Sequence, residues 1–177
     1  MLKSIYQFLN MLFVPAFQLY ATTNSTQVAN GVAVPPVLND ANTWNGKLRF
    51  FEFDYTQDGI ATIADTMAAV ILPAGKCRLV LPLSRIAFSA GGASSTMDIG
   101  WEAYTNADGT AVAADPNGLD DGIDTSSAGS VNPAGTVGGS ETKLFDSQEG
   151  VTITLQINDT AFPDAGTLKG YFVAVVE

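Results

Sequence analysis

From Val151 to Ile157 apolar and polar side chains alternate without a break: Val151, Ile153, Leu155 and Ile157 against Thr152, Thr154 and Gln156. A period of two puts the branched side chains on one face of an extended strand and the polar ones on the other, so the segment belongs to a sheet buried on one side. Leu48 to Tyr55 repeats the pattern, with Phe51, Phe53 and Tyr55 interleaved with Glu52 and Asp54. Further strands are expected at Met67 to Leu72, Lys76 to Leu81, Ser84 to Ser89, Thr96 to Tyr104, Thr142 to Phe145 and Leu168 to Val176, and the alternating strand is expected to run from Val151 to Asn158. Pro73, Ala74 and Gly75 form a turn signal that suits two adjacent antiparallel strands. The expected fold is all-β: an antiparallel β-sandwich, jelly-roll-like, of about eight strands with an N-terminal arm. Leu48, Phe51, Phe53, Ile86, Phe88, Ile99, Trp101, Ile153, Leu155 and Phe172 are the expected core.

A chain of 177 residues is long enough to close one such core without metals or disulfides. Residues 1–21 read as an apolar arm, 22–46 as an extended linker rich in Thr, Asn, Gly and Pro, and 47–177 as the sandwich domain. Within the domain, 106–140 is expected to be a long acidic loop. It has no aromatic or basic residue, and it carries Asp108, Asp115, Asp120, Asp121 and Asp124.

In the arm, Leu2, Ile5, Tyr6, Leu9, Leu12 and Phe13 recur at helical spacing ahead of Pro15, and Phe17 and Tyr20 follow. That spacing predicts a short amphipathic helix whose apolar side needs cover from its own domain or from a neighbouring subunit. These eight residues are the candidate interface. The basic start at Lys3 also imitates a secretory signal, although Gln7, Asn10, Pro15 and Gln18 interrupt the apolar run. The run is shorter than the roughly twenty apolar residues of a membrane span, and no membrane partner is expected.

Composition removes several function classes. A net charge of −10, with eight basic residues and none between Arg85 and Lys143, supplies no cationic face for nucleic acid. The absence of histidine excludes Ser-His-Asp chemistry and histidine metal sites, and Cys77, alone in an apolar run, reads as a buried inert thiol. Asp98 and Glu102 share a strand face opposite Met97, Ile99 and Trp101, which places them on the solvated side as surface charge rather than as a glycosidase-like pair. The run Asp115 to Asp124 is rich in oxygen ligands, but Leu119 stands where an EF-hand needs an oxygen and no Glu closes the loop, so it reads as a solvated turn. Gly91, Gly92, Ser94 and Ser95 precede a strand rather than a helix, which weakens them as an anion loop. Trp44 and Trp101 are the aromatic residues that sugar stacking would use, and burial of Trp101 is expected instead. The chain reads as a non-enzyme with no cofactor.

The phrases NDANTWNGKLRFFEFDYTQ, LPAGKCRLVLPLSRIAFSA, STMDIGWEAYTNADGTAVAADPNGLDDGID, KLFDSQEGVTITLQIND and GTLKGYFVAVVE together resemble a family of small structural proteins of tailed-bacteriophage virions. The resemblance spans Asn39 to Glu177 and rests on strand phrases and their spacing. It implies a virion location and a head-decoration or cement role, with the major capsid protein as partner. Cement proteins bind the assembled shell in preference to free subunits, and a symmetric homo-oligomer, most naturally a trimer, suits that work. Two rival readings remain open: a tail or head-to-tail connector component, and a secreted bacterial surface or carbohydrate-binding module with residues 1–21 as its signal.

Overall fold

A computed structural model describes residues 47–59, 63–134 and 141–176, and these fold as a jelly-roll-like antiparallel β-sandwich with no α-helix among the described residues. Twelve strands follow in order: β1 Lys47–Thr56, β2 Thr66–Leu72, β3 Gly75–Val80, β4 Arg85–Phe88, β5 Thr96–Trp101, β6 Tyr104–Thr105, β7 Ala111–Val112, β8 Asp115–Asp124, β9 Gly129–Val131, β10 Thr142–Ser147, β11 Val151–Asn158 and β12 Thr167–Val176. All eight expected strands are present. The other four, β6 to β9, occupy the stretch after Trp101, and three of them, β7, β8 and β9, lie within the expected 106–140 loop, where β8 alone places Asp115–Asp124 in paired backbone. The expected arm and linker, including Leu2, Ile5, Tyr6, Leu9, Leu12, Phe13, Phe17, Tyr20 and Trp44, lie outside the described residues.

The larger sheet is organised around β12. Along one edge β12 pairs with the whole of β1, from Lys47 opposite Val176 to Thr56 opposite Thr167. Its other edge is shared by two strands in tandem, β4 along Leu168–Tyr171 and β3 along Ala174–Val176. Between these two strands the chain makes a 3-10 turn, Leu81–Leu83, where Pro82 fits the first turn of a helix. Strand β10 adds to β3 and β9 adds to β4. The smaller sheet runs β2-β11-β5-β8.

The Pro73–Gly75 turn therefore joins two layers instead of two neighbouring strands. β2 pairs with β11 in the smaller sheet, while β3 pairs with β10 and β12 in the larger. Gly75 takes φ +90, a conformation that L side chains rarely adopt, and this lets the chain turn from one layer into the other.

The core fills the gap between the layers. Val151, Ile153, Leu155 and Ile157 of β11 and Met97, Ile99 and Trp101 of β5 face Cys77 and Leu79 of β3, Phe145 of β10, and Leu168 and Phe172 of β12. Phe172 stacks on Phe53 at 5.8 Å between centroids, which fastens β1 to the core. Of the expected core residues, Ile86, Phe88, Ile99, Trp101, Ile153, Leu155 and Phe172 are buried, and Phe51 and Phe53 are half-buried against the core. Leu48 is not in the core. It is 54% exposed, because its parity along β1 is opposite to that of Phe51, Phe53 and Tyr55.

Candidate interaction surface

Among the described residues, Asp98, Asp120, Asp124, Trp101 and Cys77 are engaged or enclosed by the fold itself. Asp98 is buried rather than solvated: β8 folds over it, and its carboxylate accepts hydrogen bonds from the Gly122 amide at 2.9 Å and from the Asn158 side chain. Burial raises its pKa, the Gly122 hydrogen bond opposes that rise, and the neighbouring Asp121 carboxylate adds to it. Glu102, its supposed partner, is exposed beyond the end of β5 and donates its backbone N–H to Thr152. An acid–base pair is not built from these two.

The Asp115–Asp124 run is strand β8, paired with β5 through two register shifts. Its carboxylates serve backbone amides: Asp120 accepts from Asp121 and Ala134, and Asp124 from Ser126. Among the described residues no group of three or more Cys, Asp or Glu is placed to hold a metal ion. The Gly91–Ser95 turn is tied to the end of β8, where the Gly91 amide donates to the Thr125 carbonyl and the Ser95 and Thr125 hydroxyls lie 2.9 Å apart in the interior.

Trp101 is enclosed. Its indole N–H donates to the Ala113 carbonyl at 3.2 Å, its ring meets Phe145 edge-on at 5.7 Å, and the Lys143 ammonium lies 4.6 Å from its centroid. A ring so covered offers no stacking platform for a sugar. Cys77 is buried, and desolvation pushes its thiol up to about 11, so it stays protonated and unreactive at neutral pH.

What the fold leaves available is the outer face of the larger sheet. Side chains of one parity, Phe51, Phe53 and Tyr55 on β1 and Phe145 on β10, pack on the core, so those of the other parity point away from it. Leu48 and Phe50 on β1 and Leu144 on β10 lie on that outer face, and Leu83 projects from the 3-10 turn beside β12. They are 40–62% exposed. These are four of the six large apolar side chains left open among the described residues. Register joins Leu144 and Leu48 into one row. Leu144 stands opposite Arg78, Arg78 opposite Val175, and Val175 opposite Leu48. Phe50 packs edge-on against Tyr171 at 5.5 Å, extending the row along β12. Scattered exposed apolar side chains need no explanation, but a contiguous set on one sheet face marks a surface that another molecule covers.

The larger sheet also holds every basic residue of the described strands: Lys47 and Arg49 on β1, Lys76 and Arg78 on β3, Arg85 on β4, Lys143 on β10 and Lys169 on β12. The strands of the smaller sheet contain no Lys or Arg, and they carry Asp98, Asp115, Asp120, Asp121 and Asp124. Nothing in the local strand patterns announced this division, because it depends on which strands share a layer.

No protein-family model matches the chain, and no curated protein matches it. Among solved structures, a chain from the capsid of Ralstonia phage GP4 superposes with a TM-score of 0.55 at 16% identity, covering 84% of this chain and 94% of that one. A chain from the cyanophage Pam1 capsid asymmetric unit gives 0.49 at 14% identity, covering 89% and 99%. At such identities only a fold is shared, and the Ralstonia phage GP4 superposition carries it: this sandwich has the architecture of a phage capsid chain.

Proposed function

We propose that the chain is a non-enzymatic structural protein of the virion, of the capsid-decoration or cement type, binding the major capsid protein and itself. The fold shared with the Ralstonia phage GP4 capsid chain over 94% of that chain's length carries the reading. The exposed apolar row on the larger sheet gives it a surface to act through, since interfaces gather their energy at aromatic and aliphatic anchors in desolvated centres. In this reading Leu2, Ile5, Tyr6, Leu9, Leu12, Phe13, Phe17 and Tyr20 of the arm supply a second contact, laid on a neighbouring subunit. No catalytic, cofactor or metal site forms part of this proposal.

The test is quantitative mass spectrometry of purified particles of the virus that encodes the chain. A decoration protein is present on the order of hundreds of copies, a ring at the tail joint on the order of tens. A chain without residues 1–20 is expected to fold and to be lost from the particles. Absence of the full chain from particles overturns the virion reading, and full occupancy by the truncated chain overturns the role given to the arm.

A further inference from the structure

Resting on that reading of the chain as an assembling protein, we propose that copies associate head to tail: the outer face of the larger sheet receives the acidic β8 edge of a second copy. The receiving face is defined by Arg78, set in register between Leu144 and Val175, with Leu48 beyond. A guanidinium among exposed apolar side chains is a place for a carboxylate, because its planar fork matches one bidentately and sheds water more readily than an ammonium. Arg85 lies on the same face, opposite Tyr171. The charges there are arranged within the sheet: Lys169 pairs with Asp54 at 3.0 Å, Lys76 stands opposite Asp146, Glu52 stands across Tyr171 from Arg85, and Arg85 donates to the Ser130 hydroxyl at 2.6 Å.

The occupant follows from the division of charge. β8 is an edge strand of the smaller sheet, and Asp121 and Asp124 are exposed along it with Gly122 between them. Joining two larger sheets would set Arg78 and Arg85 against their own kind, and joining two smaller sheets would set aspartates against aspartates. Like charges brought together repel, so larger-on-smaller contact is the complementary arrangement in a chain of net charge −10. Such a contact is heterologous, since the two patches differ, and it builds rings or extended arrays rather than closed twofold dimers.

Sedimentation velocity on the full chain tests this contact without any particle. Self-association is expected to weaken as salt rises from about 50 mM to about 500 mM, where screening lengths become short. Arg78→Glu with Arg85→Glu, and separately Asp121→Lys with Asp124→Lys, are each expected to weaken it about tenfold or more. Mixing the two variants, or combining all four changes in one chain, is expected to restore it. Circular dichroism confirms the fold, and the milder pair Arg78→Gln and Arg85→Gln should shift association in the same direction. A wild-type chain that stays monomeric at all concentrations, reversals without effect, or no rescue on mixing overturns the head-to-tail contact. The particle count is a separate measurement, so a chain found in virions but indifferent to these reversals sinks only this inference.

Discussion

The Ser84 hydroxyl accepts the backbone N–H of Val173 at 3.0 Å and donates to the Val80 carbonyl at 3.0 Å. It does so where β12 changes partner, between the stretch paired with β4 and the stretch paired with β3. A side chain there takes the place of a missing ladder partner, and Ser84 is fully buried. Ser84→Ala is therefore expected to leave the Val173 amide unsatisfied in the interior, at a cost of about 1–3 kcal/mol. Chemical denaturation followed by far-ultraviolet circular dichroism measures it. An unchanged midpoint means that the tandem junction does not depend on this hydroxyl.

Gly100 of β5 is where β8 presses closest. A Cβ added there would sit 1.9 Å from the Asp115 carbonyl oxygen and 2.3 Å from the Pro116 carbonyl carbon, both backbone atoms. Gly100→Ala must push the start of β8 away from β5, so a loss of about 1–3 kcal/mol or more is expected. By contrast, Gly109→Ala meets nothing within 4 Å, yet its φ of +86 strains any side chain. Its cost, about 1 kcal/mol, comes from the backbone alone. Hydrogen exchange separates the two mechanisms: only Gly100→Ala should accelerate exchange of the β8 amides.

Strands whose own side chains alternate were legible from sequence, and β11 matches its expected bounds at both ends. What escaped was structure imposed from outside the segment. β8 is Asp-Pro-Asn-Gly-Leu-Asp-Asp-Gly-Ile-Asp, a composition that favours turns, and it is a strand because β5 offers it an edge. The burial of Asp98 follows from the same event: parity correctly put it on the outer face of β5, and only the irregular strand laid over it closes that face. Leu48 erred for a simpler reason, since hydrophobicity suggested an inward side chain where alternation with Phe51 demanded an outward one. The outer apolar row was hidden because its apolar members come from β1, β10 and β12 and are bridged by Arg78 of β3, and only the strand order brings them together.

Asp98 also gives the fold a pH dependence with a definite sign. Burial raises its pKa, so between the unfolded value of about 3.9 and the raised value the folded chain holds a proton that the unfolded chain has released. The contribution of this group is fully present below that window and falls as pH rises through it. Asp108 and Asp124 act in the opposite sense: hydrogen bonds from Thr110 and Ser126 lower their pKa values, so their contribution is present above about 3.9 and lost in stronger acid. Asp98→Asn removes the first effect alone. The stability of Asp98→Asn relative to wild type is expected to increase from about pH 4 upward and then level off. A difference independent of pH across that range means that Asp98 is not held in a raised state.

Phe50 is 62% exposed, Leu144 is 40% exposed, and neither belongs to the interior cluster. Replacing them by serine removes little buried area, so the folded state is expected to lose no more than about 1 kcal/mol in total, including the edge contact of Phe50 with Tyr171. A core substitution is the contrast: Phe172→Ala empties a fully buried site and should cost about 3–5 kcal/mol. If the outer row is an assembly surface, Phe50→Ser with Leu144→Ser should lower attachment to particles strongly while the denaturation midpoint hardly moves. The two readouts part company only under that reading. A row that merely decorates the surface predicts no loss of attachment, and a row that supports the fold predicts that stability and attachment fall together.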